Sequence, residues 1–262
     1  GLAIGGNLTL TGNSASIATQ PGKFGVSGDP TLYVAGQLSS NVYTNVNSGY
    51  ASTPNATGWT WNNNDKRLTN GGGTLSLSNA NIKTNPLTNP GPTDWNWGSV
   101  ENSFKSVSNS IAAMTATGSI SVSSGTLMFV STGASPGDVV AFNLDANALS
   151  GMTYNGISFS NIGMTLPADV SYVINVANAG GKTLFGTKDN GANFNGSGYE
   201  RLLWNILPDT DGGGSPVATS VTLGSREFQG SVLAPMVNLS NSDRVIVNGQ
   251  IVAASYSHTG NE

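Results

Sequence analysis

Few residues of this chain could do covalent chemistry, and their spacing narrows the field quickly. The single histidine, His258, stands four residues before the end in a Ser- and Gly-rich tail. A Ser-His-Asp triad needs its imidazole held firmly between nucleophile and carboxylate, and chain ends fray. No G-x-S-x-G nucleophile elbow occurs either. The absence of cysteine excludes disulfides, thiolate nucleophiles and thiolate metal sites. An enzyme of the triad or thiol type is therefore not expected.

Paired carboxylates are the next option, because polysaccharide-cleaving β-helices place acids on adjacent strands. Asp209 and Asp211, in PDTDGGG, would share a face if extended. Pro208 and the glycine run instead make this a turn, where Asp serves local hydrogen bonds. Oxygen ligands that suit Ca²⁺ collect there, in KDNGANFNG (188–196) and in NSDR (241–244), without the spacing of an EF-hand loop. Asp209 and Asp211 are the candidate calcium ligands, with a metal-free turn as the alternative; no other cofactor is expected.

Aromatic pairs offer binding rather than catalysis. Trp59 with Trp61, and Trp95 with Trp97, would each set two indoles on one side of an extended segment. Such pairs can stack on sugar rings. Trp95 and Trp97 stand where a helix begins, whereas Trp59 and Trp61 lie in a polar loop and are the ligand-binding candidates. Capping the end of a β-stack is their structural alternative.

The elements that must position these residues are mostly strands. The chain has 262 residues, 35 of them Gly, is 37% hydrophobic and only 9% charged, and carries a net charge of −4. Its length suits one all-β domain, 1–262. The ten Lys and Arg are scattered from Lys23 to Arg244. With no basic stripe, nucleic acid is not an expected partner. No apolar run reaches the roughly 18 residues that would cross a bilayer. The start, GLAIGGN, reads as a mature segment or an excised domain.

A recurring unit of Gly followed by alternating apolar positions marks short strands: GNLTL (6–10), GTLSL (73–77), GSISV (118–122) and GTLMF (125–129). Such strands cannot bury a face alone but become stable when stacked. The expected fold is mainly β, a right-handed β-solenoid (β-helix) with one amphipathic α-helix packed along it. That helix is expected near 94–117, with Trp97, Val100, Phe104, Val107, Ile111 and Met114 on one face, a cap at Thr93 or Asp94, and Gly118 as its stop. Loops are expected over 50–70, 84–92, 187–198 and 208–216, where Pro, Gly and Asn cluster.

In order along the chain, GLAIGGNLTLTG, LYVAGQLSS, IAAMTATG, YVINVAN, ERLLWNILPD, FQGSVLAP and VNGQIVAAS together resemble the choice-of-anchor A family. That family is a bacterial cell-surface module with an ice-binding-protein-like β-solenoid. The resemblance implies a non-catalytic adhesive domain, extracellular or displayed at the cell surface, that binds a glycan, an extracellular protein or another surface. It supplies no catalytic residue, and the tail here reads SHTGNE where the family ends in a Gly-Glu-Ile-His-like stretch. Ice binding is the alternative that shares the fold, with Thr pairs in LTLTG (8–12), TATG (115–118) and VTLG (221–224). A polysaccharide-cleaving β-helix enzyme using Asp209 and Asp211 is a second alternative.

Overall fold

The structure, a computed structural model, describes residues 2–12, 14–17, 31–47, 49–80, 83–89, 96–123, 126–131, 133–149, 156–160, 169–184, 201–224, 227–241 and 246–258. The described residues are mainly β with one α-helix, and their strands pair mostly in parallel. Two compact units divide it: residues 1–102 with 254–262, and residues 103–253.

Among the described residues, the first unit holds the short strands β1 (Leu2–Ile4), β2 (Leu8–Leu10), β3 (Ser14–Ile17), β4 (Leu32–Val34), β5 (Leu38–Ser40), β6 (Tyr43–Val46), β7 (Ala51–Ser52), β8 (Thr60–Asn62), β9 (Arg67–Thr69) and β10 (Thr74–Ser76), and the C-terminal strand from Ala254 on. Three parallel ladders organise them, each joining a strand to one about 30 residues later in the chain. Leu2 pairs with Leu32, Leu8 with Leu38, and Ser14 with Tyr43. Leu8 also pairs with Tyr256, near the C-terminus. The alternation in the Gly-led repeats explains the register. Leu8 and Leu10 are buried while Thr9 between them is exposed, and Leu38 and Ser40 flank exposed Ser39 in the same way. In a parallel ladder residues in register share a face, so the leucines stack into one narrow core with Leu32, Val34, Val46, Leu68, Leu75 and Leu77.

Corners between the ladders are tight. Gly36 donates its N–H to the Gly6 carbonyl at 3.0 Å, and a Cβ at Gly36 would run into that carbonyl. Beside it, the Asn7 side chain accepts the Gln37 N–H at 2.8 Å. The expected loop over 50–70 is a different object: it contains β7, β8 and β9, the last two paired antiparallel to each other, and β9 antiparallel to β10. Asn and Asp suggest loop in a single sequence, but here Asn62 and Lys66 build a hairpin turn. The Asn62 side chain accepts the N–H groups of Asn64 and Asp65, and Lys66 takes a φ of 54°.

The second unit contains the helix from Ser103 on and the strands β11 (Ser119–Ser123), β12 (Thr126–Val130), β13 (Val139–Asp145), β14 (Gly156–Ser160), β15 (Ser171–Ala177), β16 (Thr183–Leu184), β17 (Leu202–Ile206), β18 (Thr219–Leu223), β19 (Glu227–Gln229), β20 (Ser231–Asn241) and β21 (Ile246–Asn248), with the start of β22 (Ile251–His258). Strands β13, β15, β17 and β20 run parallel and side by side. One face carries the row Phe142, Ile174, Trp204 and Val232, all buried. Phe129 meets both Phe142 and Trp204 edge-on at 5.2 and 6.0 Å, and the Trp204 indole donates to the Gln229 carbonyl at 2.9 Å.

The opposite face carries an in-register row of amides, Asn143, Asn175 and Asn205, and the helix docks on it. Asn205 Nδ2 donates to Asn175 Oδ1 at 2.8 Å, and Asn175 Nδ2 donates to Asn143 Oδ1 at 3.0 Å. The helix α1 spans Trp97–Ala112, shorter than expected at both ends. Its cap is Asn96, whose side chain accepts the Ser99 N–H at 3.1 Å. It stops before Gly118, which instead sits where a Cβ would strike the Phe142 ring. The apolar face expected to be inward is partly turned away from the protein: Phe104 and Val107 are 38% and 48% exposed, while Ser108 is fully buried. The Ser108 and Ile111 carbonyls accept from Asn205 and Asn175, and the Ser108 hydroxyl donates to Asn205 Oδ1, so an apolar side chain at 108 would take that donor away from a buried amide oxygen.

Candidate functional site

A regular set of outward side chains stands on the outer face of the five-stranded sheet β3–β6–β10–β9–β8. Its alternation is regular. On β6, Thr44 and Val46 point inward and are buried, while Tyr43 is exposed. On β9, Leu68 is buried between exposed Arg67 and half-exposed Thr69, and on β8 Thr60 and Asn62 are exposed on either side of Trp61. Register assembles these positions into two rows. Ser14, Tyr43, Thr74, Thr69 and Thr60 form one, and Asn45, Ser76, Arg67 and Asn62 form the other.

Two of these side chains meet. The Arg67 guanidinium carbon lies 5.7 Å from the centroid of the Tyr43 ring, a cation–π contact. Strand β10 lies between β6 and β9, so the contact spans a strand. Ser76, outward on that strand, is fully buried although its neighbours in the row are open. Its hydroxyl lies 3.0 Å from that of Ser78. The local charge is positive within an acidic chain: residues 31–89 carry Lys66, Arg67 and Lys83 against the single carboxylate Asp65. Asp65 accepts a hydrogen bond from Asn62 Nδ2 at 2.9 Å, and Lys66 donates to Asn63 Oδ1 at 2.9 Å. Among the described residues, no carboxylate engages Arg67.

The tryptophan pair does share one side of the chain, and that side is the inner one. Trp59 is 6% exposed within the core, with its indole N–H donated to the Leu38 carbonyl at 2.8 Å. Trp61 is half-buried and packs against the same core. An inward Trp needs a partner for its N–H, and the β5 carbonyl supplies it. Trp95 lies outside the described residues, and Trp97 opens the helix.

The two acids are brought to one turn and employed separately. Asp209 Oδ1 accepts the Gly180 N–H at 3.3 Å, and Asp211 Oδ1 accepts those of Gly213 and Ser215 at 2.9 and 2.8 Å. Thr210 and Pro216 form a β-bridge that closes this loop. No group of three or more His, Cys, Asp and Glu able to hold a metal occurs among the described residues. The 188–196 segment falls outside those residues, as does all of NSDR except Asn241. At the ends of β13 and β15, the Asp145 carboxylate accepts from Asn178 Nδ2 and from the Asn147 N–H, both at 2.9 Å. The Asn178 amide foremost, then the Asn147 N–H, holds Asp145 below the usual carboxylate value.

Tyr43 and Arg67 were not among the candidates drawn from the sequence. Their signal was the hairpin itself: TWN and RLT alternate on either side of NNDK, which puts Arg67 outward.

Parallel ladders of short strands, one docked helix and a polar outer face define a β-stacked module that displays side chains in rows. The chain belongs to the family described as "Putative Ice-binding-like adhesive domain", which matches residues 1–262. Among solved structures it is similar to an ice-binding protein from the Antarctic ascomycete Antarctomyces psychrotrophicus, at 13% identity and a TM-score of 0.34, over 99% of this chain and 89% of that one. No curated protein matches it.

Proposed function

We propose that this chain is a non-catalytic adhesive module of a bacterial surface or secreted protein, which holds a glycan, an extracellular protein or another surface on its outer strand faces. The family match over residues 1–262 carries this reading. The sheet that presents Tyr43 and Arg67 is consistent with it, since a flat array of exposed polar and aromatic groups suits reversible binding. An extracellular location follows from the adhesive family. The strand ladders fit one right-handed β-solenoid domain over 1–262, and the ordered motifs fit the choice-of-anchor A group. A label-free screen against glycans, matrix proteins and whole cells tests the reading; no ligand in any class would remove it.

Ice binding is the second reading, favoured by the family's ice-binding-like character and by the row Thr183, Thr222 and Ser240 on β16, β18 and β20. The Thr222 and Ser240 hydroxyls are 3.0 Å apart. Thermal hysteresis together with inhibition of ice recrystallisation would establish it, and the absence of both would end it.

A further inference from the structure

We propose that the outer face of the β3–β6–β10–β9–β8 sheet binds an acidic sugar, with its carboxylate held by Arg67. The proposal rests on the adhesive reading and names the ligand class and the residues that would take it.

Three observations converge on this face. Arg67 is exposed, and its guanidinium is held against Tyr43 at 5.7 Å. That contact holds the group against the ring, and no carboxylate among the described residues engages its N–H edges. A guanidinium presents those N–H groups in a fork that matches a carboxylate, so a fixed one needs less ordering on binding. Next, the row Tyr43, Thr74, Thr69, Thr60 lies beside it. Hydroxyls at strand spacing of about 4.8 Å can each donate to or accept from a sugar hydroxyl, and the exposed edge of Tyr43 offers an apolar patch for a pyranose ring.

The charge also selects. Residues 31–89 hold three cations and one carboxylate in a chain of net charge −4. At physiological salt, charges farther than about 8 Å from a site are largely screened, so Lys66 and Arg67 in the hairpin weigh against its one carboxylate, Asp65. A neutral glycan would gain nothing from Arg67, whereas a uronic or sialic acid would form a charge-assisted pair with it.

Titration calorimetry of the full chain with hexagalacturonate and with sialyllactose tests this, using fully methyl-esterified hexagalacturonate and lactose as the neutral counterparts. At least one acidic probe should bind, weaken with added salt, and exceed its neutral counterpart by about tenfold, the discrimination expected of a charged hydrogen bond. Arg67→Gln and Tyr43→Ala should each lose most of that affinity, and Arg67→Lys should fall between. Near-ultraviolet circular dichroism and Tm establish that the variants fold, and Asp211→Asn serves as a remote control. Equal binding of acidic and neutral probes, or unchanged binding by both Arg67→Gln and Tyr43→Ala, overturns the assignment of this face. Failure of both acidic probes while other glycans, proteins or cells bind overturns the proposal and leaves the adhesive reading standing. Failure of every ligand class overturns both.

Discussion

Ser108 on the helix and Asn205 on the sheet, 97 residues apart in the chain, exchange two hydrogen bonds in a fully buried setting. The Ser108 hydroxyl donates to Asn205 Oδ1 at 2.7 Å, and Asn205 Nδ2 donates to the Ser108 carbonyl at 3.0 Å. Asn205 also feeds the amide row through Asn175, so its loss strands partners on both sides. Asn205→Leu is predicted to cost about 2–4 kcal/mol and Ser108→Ala about 1–2 kcal/mol. Denaturant unfolding of both variants and of the double variant measures this, and the pair should be non-additive. Additive costs would mean that the two residues act independently.

Backbone contact makes Gly36 hard to replace. A Cβ there meets the Gly6 carbonyl, and Asn7 Oδ1 at 2.6 Å. A backbone carbonyl already bonded to the Gly36 N–H cannot swing aside as a long side chain can. Gly36→Ala should lower stability by about 1–3 kcal/mol, and Gly71→Ala, which meets open space, should be nearly neutral. Comparing the two melting temperatures distinguishes packing from a general cost of replacing glycine.

Trp59 is predicted to be structural. Trp59→Phe keeps most of the buried ring but leaves the Leu38 carbonyl without its donor, at a cost of about 1–2 kcal/mol. Ligand affinity per folded molecule should not change. A selective loss of binding at unchanged Tm would return Trp59 to the binding surface.

Acid and alkali should act on different residues. Asp145 has its pKa lowered in the fold, so the stability it contributes is present above the ordinary value of 3.8 and is lost as pH falls through the lower folded value. Asp145→Asn should flatten the acid limb of the stability profile. Burial raises the pKa of Tyr172, so its contribution is complete below 10.0 and is lost as pH rises through the higher folded value. Tyr172→Phe should flatten the alkaline limb instead. Tm measured against pH for the two variants checks both signs.

Calcium is predicted to be dispensable for the turn at 208–216. Asp211 already satisfies two backbone N–H groups, and Asp209 one. Tm should be the same in EDTA as in calcium at about 1 mM, a concentration that fills weak extracellular sites. A rise with calcium that disappears in Asp211→Asn would show a metal site.

The strand content was readable because the Gly-led repeats carry their own alternation. GNLTL and GTLSL became β2 and β10, and GSISV and GTLMF became β11 and β12. What was not readable is anything set by a distant partner. Nothing local says that Leu8 faces Leu38 or that Asn143, Asn175 and Asn205 align. That alignment is why the helix turns Ser108 inward and Val107 outward, against its own apolar periodicity. The same holds for Trp61: alternation puts it on the side opposite Thr60, but only the position of the core makes that side the inner one. Asp209 and Asp211 were placed correctly in a turn, since Pro208 and three glycines act locally, whereas their separate hydrogen-bond partners depend on Gly180, Gly213 and Ser215.

The in-register ladders have one more consequence. Because Thr74, Thr69 and Thr60 are aligned by backbone hydrogen bonds, the interval between them belongs to the main chain, as on a ruler, and not to the side chains. Exchanging any one of them rewrites what that notch recognises and leaves the graduation untouched, so a surface of this kind can change its ligand by point substitution without rebuilding the scale on which the ligand is measured.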